Sequence, residues 1–128
     1  MGFVMTPSIF YLDDDELLLQ LFQEMFGAKF DIRTSSVVAS ARLMLREAPA
    51  DIIICDQIMP DIKGTMFLRE AAELCPRSYR ILLTGNASVI DVVSEIATGV
   101  VQMFISKPWD EGRMLDALER ALVEIERK

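Results

Sequence analysis

Apolar positions along this chain alternate between two periods. Short runs of consecutive apolar residues occur at Ile9-Phe10-Tyr11-Leu12, Ile52-Ile53-Ile54-Cys55, Ile81-Leu82-Leu83 and Met103-Phe104-Ile105. Runs of this length read as strands covered on both faces. They place strands at 8–12, 51–55, 80–83 and 101–105, and a weaker apolar pair, Phe30 and Ile32, suggests a further one at 30–33. The intervening segments are apolar at helical spacing. Residues 15–26 carry a stripe of Leu17, Leu18, Leu21, Phe22 and Met25, with Gly27 suited to the cap. Residues 36–48 carry Val37, Val38, Ala41, Leu43, Met44 and Leu45, and Pro49 lies just beyond. Helices are also predicted at 64–74, ended by Pro76, and at 88–97, followed by Gly99. The last spans 110–127, with Asp110 as N-cap and Leu115, Leu118, Ala121, Leu122 and Ile125 along one face. Five strand-then-helix alternations imply an α/β fold: a parallel sheet, right-handed crossovers and helices on both faces.

Each long apolar run ends in polar residues. The first runs into Asp13-Asp14-Asp15, the next into Asp56, the third into Thr84 and the last, after Ser106, into Lys107-Pro108. Ligands of open α/β sheets bind at the carboxyl edge of the strands. Each residue taken alone has an ordinary explanation. Acids favour a helix N-terminus, Asp56 could open the turn before Met59-Pro60, Thr84 could be a strand-end hydroxyl and Lys107 a solvated amine. Together they suggest chemistry. Converging carboxylates repel unless a cation neutralises them, and a hard divalent ion with oxygen ligands, Mg²⁺ by default, does so. Beside such an ion an aspartate can act as a nucleophile towards phosphorus. Asp15 and Glu16 fit better as the start of the first helix than as part of the site.

Composition narrows the choice. The chain has 128 residues, 52% hydrophobic and 26% charged, which suits one folded domain. Its formal net charge of −7 argues against direct nucleic-acid binding. The absence of histidine removes Ser-His and Cys-His nucleophiles and His-based zinc sites. The two cysteines make no disulfide framework, so a cytoplasmic setting is expected. No apolar stretch approaches a membrane span, and no membrane association is expected.

Asp13-Asp14, the stretch from Asp56 through Met59-Pro60 to Gly64, Thr84-Gly85 and Phe104-Ile105-Ser106-Lys107-Pro108 resemble the receiver domain of two-component response regulators. The likeness covers the chain from Ser8 to the last helix. It implies a flavodoxin-like (βα)5 three-layer sandwich with strand order 2-1-3-4-5. It divides the chain into an extension, 1–7, and a receiver domain, 8–128. It makes Asp56 the phosphoacceptor, and Asp14, Asp56 and the Ile58 backbone carbonyl direct ligands of Mg²⁺, or of Mn²⁺. Asp13 would hold the ion through water. Thr84 and Lys107 would bind phosphoryl oxygens, Thr84 and Phe104 would form the switch, and the Lys107-Pro108 bond would be cis.

The implied donor is a sensor histidine kinase or phosphotransfer protein. The implied listener is an output domain or partner protein, reached through the face of the fourth helix, fifth strand and fifth helix, which could also form a homodimer. The chain would be no enzyme beyond its own phosphotransfer and slow autodephosphorylation. Ile58 and Asn86 depart from common receivers at positions that flank the phosphoryl group. Gly85 replaces a frequent alanine. The longer spacing before Phe104 and the Trp109-Asp110 pair are similar to receivers attached to cyclic-dinucleotide modules.

Two rival readings remain open at this level. Asp13-x-Asp15 resembles the first motif of haloacid-dehalogenase-type phosphatases, with Asp13 as nucleophile. Alternatively, the domain is receiver-like but no longer takes phosphate.

Overall fold

Continuous burial of the apolar runs comes from a central sheet with helices on both sides. The computed structural model describes residues 6–85 and 89–127. In chain order the elements are β1 (Ser8–Leu12), α1 (Glu16–Phe26), β2 (Asp31–Ser35), α2 (Val38–Glu47), β3 (Ile52–Asp56), α3 (Gly64–Leu74), β4 (Tyr79–Thr84), α4 (Val89–Ala97), β5 (Met103–Ser106) and α5 (Glu111–Glu126). All strand pairs are parallel, in the order β2-β1-β3-β4-β5. This is the flavodoxin-like (βα)5 arrangement.

Strand alternation divides the core into two layers. Ile9, Tyr11, Ile52, Ile54, Ile81, Leu83 and Ile105 face α1 and α5. Phe10, Leu12, Ile53, Cys55 and Leu82 face α2 and α3.

The helix facing is where periodicity alone misleads. α1 buries Leu19, Phe22 and Phe26, whereas Leu17, Leu21 and Met25 of the expected stripe are exposed. Leu17, Leu18 and Leu19 are consecutive, so two stripes fit the same helix, and packing against Tyr11 selects the one containing Phe22. In α2, Val38, Ala41 and Leu45 are buried, while Leu43 and the N-cap residue Val37 are exposed. α5 buries Met114, Ala117, Leu118 and Ala121, and the expected Leu115, Leu122 and Ile125 flank that row.

Several boundaries also move. β2 runs through Ser35 because its ladder pairs Ser8 with Asp31 and continues to Leu12 with Ser35. β3 and β4 take in Asp56 and Thr84, so both residues sit on the ladder rather than after it. β5 starts at Met103, not 101. Asp15 and Asp110 lie outside their helices as N-caps, accepting from the backbone N–H of Leu18 and Arg113. Most of the 1–7 extension, Asn86 and the expected helix start at Ser88 lie outside the described residues.

One buried charge holds the far edge of the sheet. Arg80 donates from its guanidinium to the carbonyls of Ser78, Gly99 and Val100 and to the Ser78 hydroxyl. That ties the start of β4 to the loop before β5. Burial pushes the Arg80 pKa down.

Candidate functional site

Register brings the polar strand ends together. Leu12 pairs with Cys55, so Asp13 and Asp56 follow side by side. Asp56 pairs with Leu83 and Thr84 with Ser106, which sets Thr84 and Lys107 on the same edge. The Lys107 backbone N–H donates to the Thr84 carbonyl at 2.9 Å, and the Lys107-Pro108 peptide is cis.

The Lys107 ammonium stands between two carboxylates. Its Nζ lies 3.1 Å from Asp56 Oδ1 and 3.2 Å from Asp13 Oδ2. Asp13 is fully buried and almost saturated. Its Oδ1 accepts from the Asp15 backbone N–H at 3.0 Å, and its Oδ2 accepts from both the Tyr11 hydroxyl, at 2.8 Å, and Lys107. Asp56 is 5% exposed and keeps an opening to solvent that Asp13 lacks. Asp14 is exposed.

The electrostatics are those of excess negative charge. Burial raises the Asp56 pKa, the neighbouring Asp13 raises it further, and Lys107 pulls it only part of the way back. Burial alone would lower the Lys107 pKa, but Asp13 and Asp56 outweigh it and hold the ammonium protonated. Cys55, one residue before Asp56, is a buried thiol whose pKa burial drives up, so it is unreactive core.

One oxygen each from Asp13, Asp14 and Asp56 lie within 4.8 Å of one another. A single lysine does not neutralise three such groups. An all-oxygen, strongly anionic donor set fits a hard divalent cation.

The remaining sequence candidates are placed as follows. Ile58 lies in the loop after β3 with its side chain 74% exposed. Phe104 pairs with Leu82 on β5, packs partly buried on the α2–α3 side, and borders a cavity of about 200 Å³ with Arg113, Asp116 and Arg120 of α5.

Sequence reasoning missed two contributors. Tyr11 counted only as an apolar strand residue, although a hydroxyl two residues before Asp13 falls on the same strand face. Gly64 counted as a motif position. Its physical role is a close approach: a Cβ there would sit 2.3 Å from the Asp56 carbonyl oxygen. The Gly64 N–H donates to the Gln57 carbonyl at 2.9 Å, which closes the loop beneath Asp56.

Residues 9–119 match the model of the response regulator receiver domain. The chain belongs to that family. As a receiver domain it is a module of two-component regulators, a family of regulators rather than of enzymes. It is 27% identical over 115 residues to the hydrogenase transcriptional regulatory protein HoxA of Cupriavidus necator, covering 90% of this chain and 24% of that one. It is 33% identical to the transcriptional regulatory protein FixJ of Rhizobium meliloti, covering 91% of this chain and 58% of that one. The receiver thus spans a quarter to somewhat over half the length of these curated relatives. Among solved structures, the receiver domain of an HD domain-containing protein from Pseudomonas fluorescens superposes with a TM-score of 0.88 at 26% identity, covering 99% of this chain and 95% of that one. A CheY-like receiver from Methanospirillum hungatei has the same TM-score at 22% identity, covering 96% and 98%, and shows the shared fold.

Among the described residues no helix is long and apolar enough to cross a membrane.

Proposed function

We propose that Asp56 accepts a phosphoryl group from a phosphohistidine on a sensor kinase or phosphotransfer protein. The observation that carries this is the Lys107 ammonium held between Asp13 and Asp56, beside three carboxylates that lack enough positive charge. The donor histidine comes from the partner, because this chain has none. An Asp56 carboxylate oxygen attacks phosphorus in line, the P–N bond breaks as the P–O bond forms, and the leaving imidazole takes a proton from solvent. Mg²⁺, or Mn²⁺ in its place, would be held by Asp14, Asp56 and the Ile58 carbonyl, with Asp13 acting through water, and would supply positive charge to the phosphoryl oxygens. Lys107 pairs with one of those oxygens, and the Thr84 hydroxyl donates to another. Hydrolysis of the acyl phosphate by water is slow and resets the domain.

Asp13 is the poorer nucleophile. Three donors already occupy it and no solvent reaches it. This weighs against the phosphatase reading.

Switching by one phosphate is energetically reasonable. Moving a two-state equilibrium from 1:99 to 99:1 takes about 5.5 kcal/mol. Hydrogen bonds to a charged group contribute roughly 1.5–3 kcal/mol each. One from Thr84 and one from Lys107 are together of that order. Thr84 drawn to the phosphate vacates space for Phe104, and the α4-β5-α5 face changes for an output domain, a partner or a second copy of the chain. With a net charge of −7, the domain itself leaves nucleic acid to its output. It acts in the cytoplasm.

The test is incubation with acetyl phosphate and Mg²⁺ followed by phosphate-affinity electrophoresis. The wild-type chain shifts and Asp56→Asn does not. An equal shift of the variant refutes the assignment.

A further inference from the structure

Tyr11 is buried in the sheet, yet its hydroxyl reaches the site. It donates to Asp13 Oδ2 at 2.8 Å, the same oxygen that holds Lys107. Its ring is fixed from the side by Phe22, edge-on at 4.9 Å, and Phe22 in turn meets Trp109 edge-on at 6.1 Å.

We infer that Tyr11 is a positioning residue for phosphoryl transfer: its hydroxyl holds Asp13 so that Lys107 can leave for the phosphoryl group. The inference rests on Asp56 being the phosphoacceptor. Asp13 Oδ2 has two donors. When Lys107 moves towards a phosphoryl oxygen, Tyr11 remains and Asp13 is not left bare. The hydroxyl also draws charge from Oδ2, which loosens the hold of Asp13 on Lys107. Without it Asp13 has only Lys107 at that oxygen and competes with the phosphate for the amine.

The test uses Tyr11→Phe, which keeps the ring and removes only the hydroxyl, and Phe22→Leu, which removes the ring edge and leaves the hydroxyl. Phosphorylation by acetyl phosphate at saturating Mg²⁺ is expected to slow about tenfold in Tyr11→Phe, equivalent to ~1.4 kcal/mol, and by less than about twofold in Phe22→Leu. The second readout is calorimetric: beryllofluoride, a phosphoryl mimic, is expected to bind about tenfold more weakly to Tyr11→Phe at saturating Mg²⁺, while Mg²⁺ itself binds both chains within about twofold. A Tyr11→Phe rate within about twofold of wild type, an unchanged beryllofluoride affinity, or equal slowing in Phe22→Leu overturns the inference while the Asp56 reading stands. A wild-type chain that takes no phosphate overturns both.

Discussion

Replacing Lys107 by methionine exposes how the site is balanced. The side chain keeps a similar length and loses its charge. At 3.1 and 3.2 Å, with an effective dielectric constant near 20, each carboxylate attraction is about 5 kcal/mol before desolvation is counted. Desolvation of the three ions offsets most of this. Removing one partner of a buried pair costs roughly 3–5 kcal/mol. Lys107 is 25% exposed, so water relieves part of the loss and the low end, about 3 kcal/mol, applies. For a domain of this size that lowers Tm by roughly 10 °C. The loss should depend on cation. In the variant Asp13, Asp14 and Asp56 repel without relief, so Mg²⁺ has more to neutralise. At about 100 times its Kd, Mg²⁺ stabilises either chain by about 2.7 kcal/mol, and the gap between them narrows by about 1.4 kcal/mol for each tenfold by which the variant binds the ion more tightly. The assay is thermal or urea unfolding of both chains in EDTA and in excess Mg²⁺. A variant within about 1 kcal/mol of wild type in EDTA refutes the reasoning, since the ammonium would then be offsetting no repulsion.

Asp56→Asn should stabilise the metal-free domain at neutral pH. The folded-state pKa of Asp56 is raised by burial and by Asp13, so its charged form costs stability above that pKa, and the cost fades as pH falls through it. Urea unfolding in EDTA from pH 7 to pH 4 should show the variant's advantage shrinking on acidification; an advantage that grows contradicts the sign. Gly64→Ala puts a Cβ 2.3 Å from the Asp56 carbonyl oxygen, and should cost about 2–3 kcal/mol and weaken Mg²⁺ binding, read by denaturation and by calorimetry. Arg80→Gln leaves carbonyls of Ser78, Gly99 and Val100 short of donors, and should cost about 3 kcal/mol by urea unfolding while leaving Mg²⁺ affinity intact.

The site was legible because apolar runs stop where the sheet edge lies. Asp13, Asp56, Thr84 and Lys107 each follow such a run, and parallel register does the rest. Strand limits were less so. Whether Asp56 and Thr84 belong to a strand depends on ladder hydrogen bonds to a neighbour, which no local pattern contains. The facing of α1 was misread for a related reason: Leu17 to Leu19 supply an apolar residue to every candidate stripe, and only packing on Tyr11 decides. Arg80 lies near the start of β4 and looks like a surface charge, yet three carbonyls from two loops enclose it. Tyr11 is the instructive case. Hydropathy counts its ring, and the hydroxyl that touches Asp13 is invisible to that scale.

The central claim is that Asp56, and no other carboxylate at this edge, carries the phosphoryl group. Borohydride reduction of the acetyl-phosphate-treated chain converts an acyl phosphate to an alcohol, and peptide mapping then locates it. The account predicts homoserine at position 56 and unmodified aspartate at Asp13 and Asp14. Homoserine at position 13, or at no position although phosphate is incorporated, contradicts it.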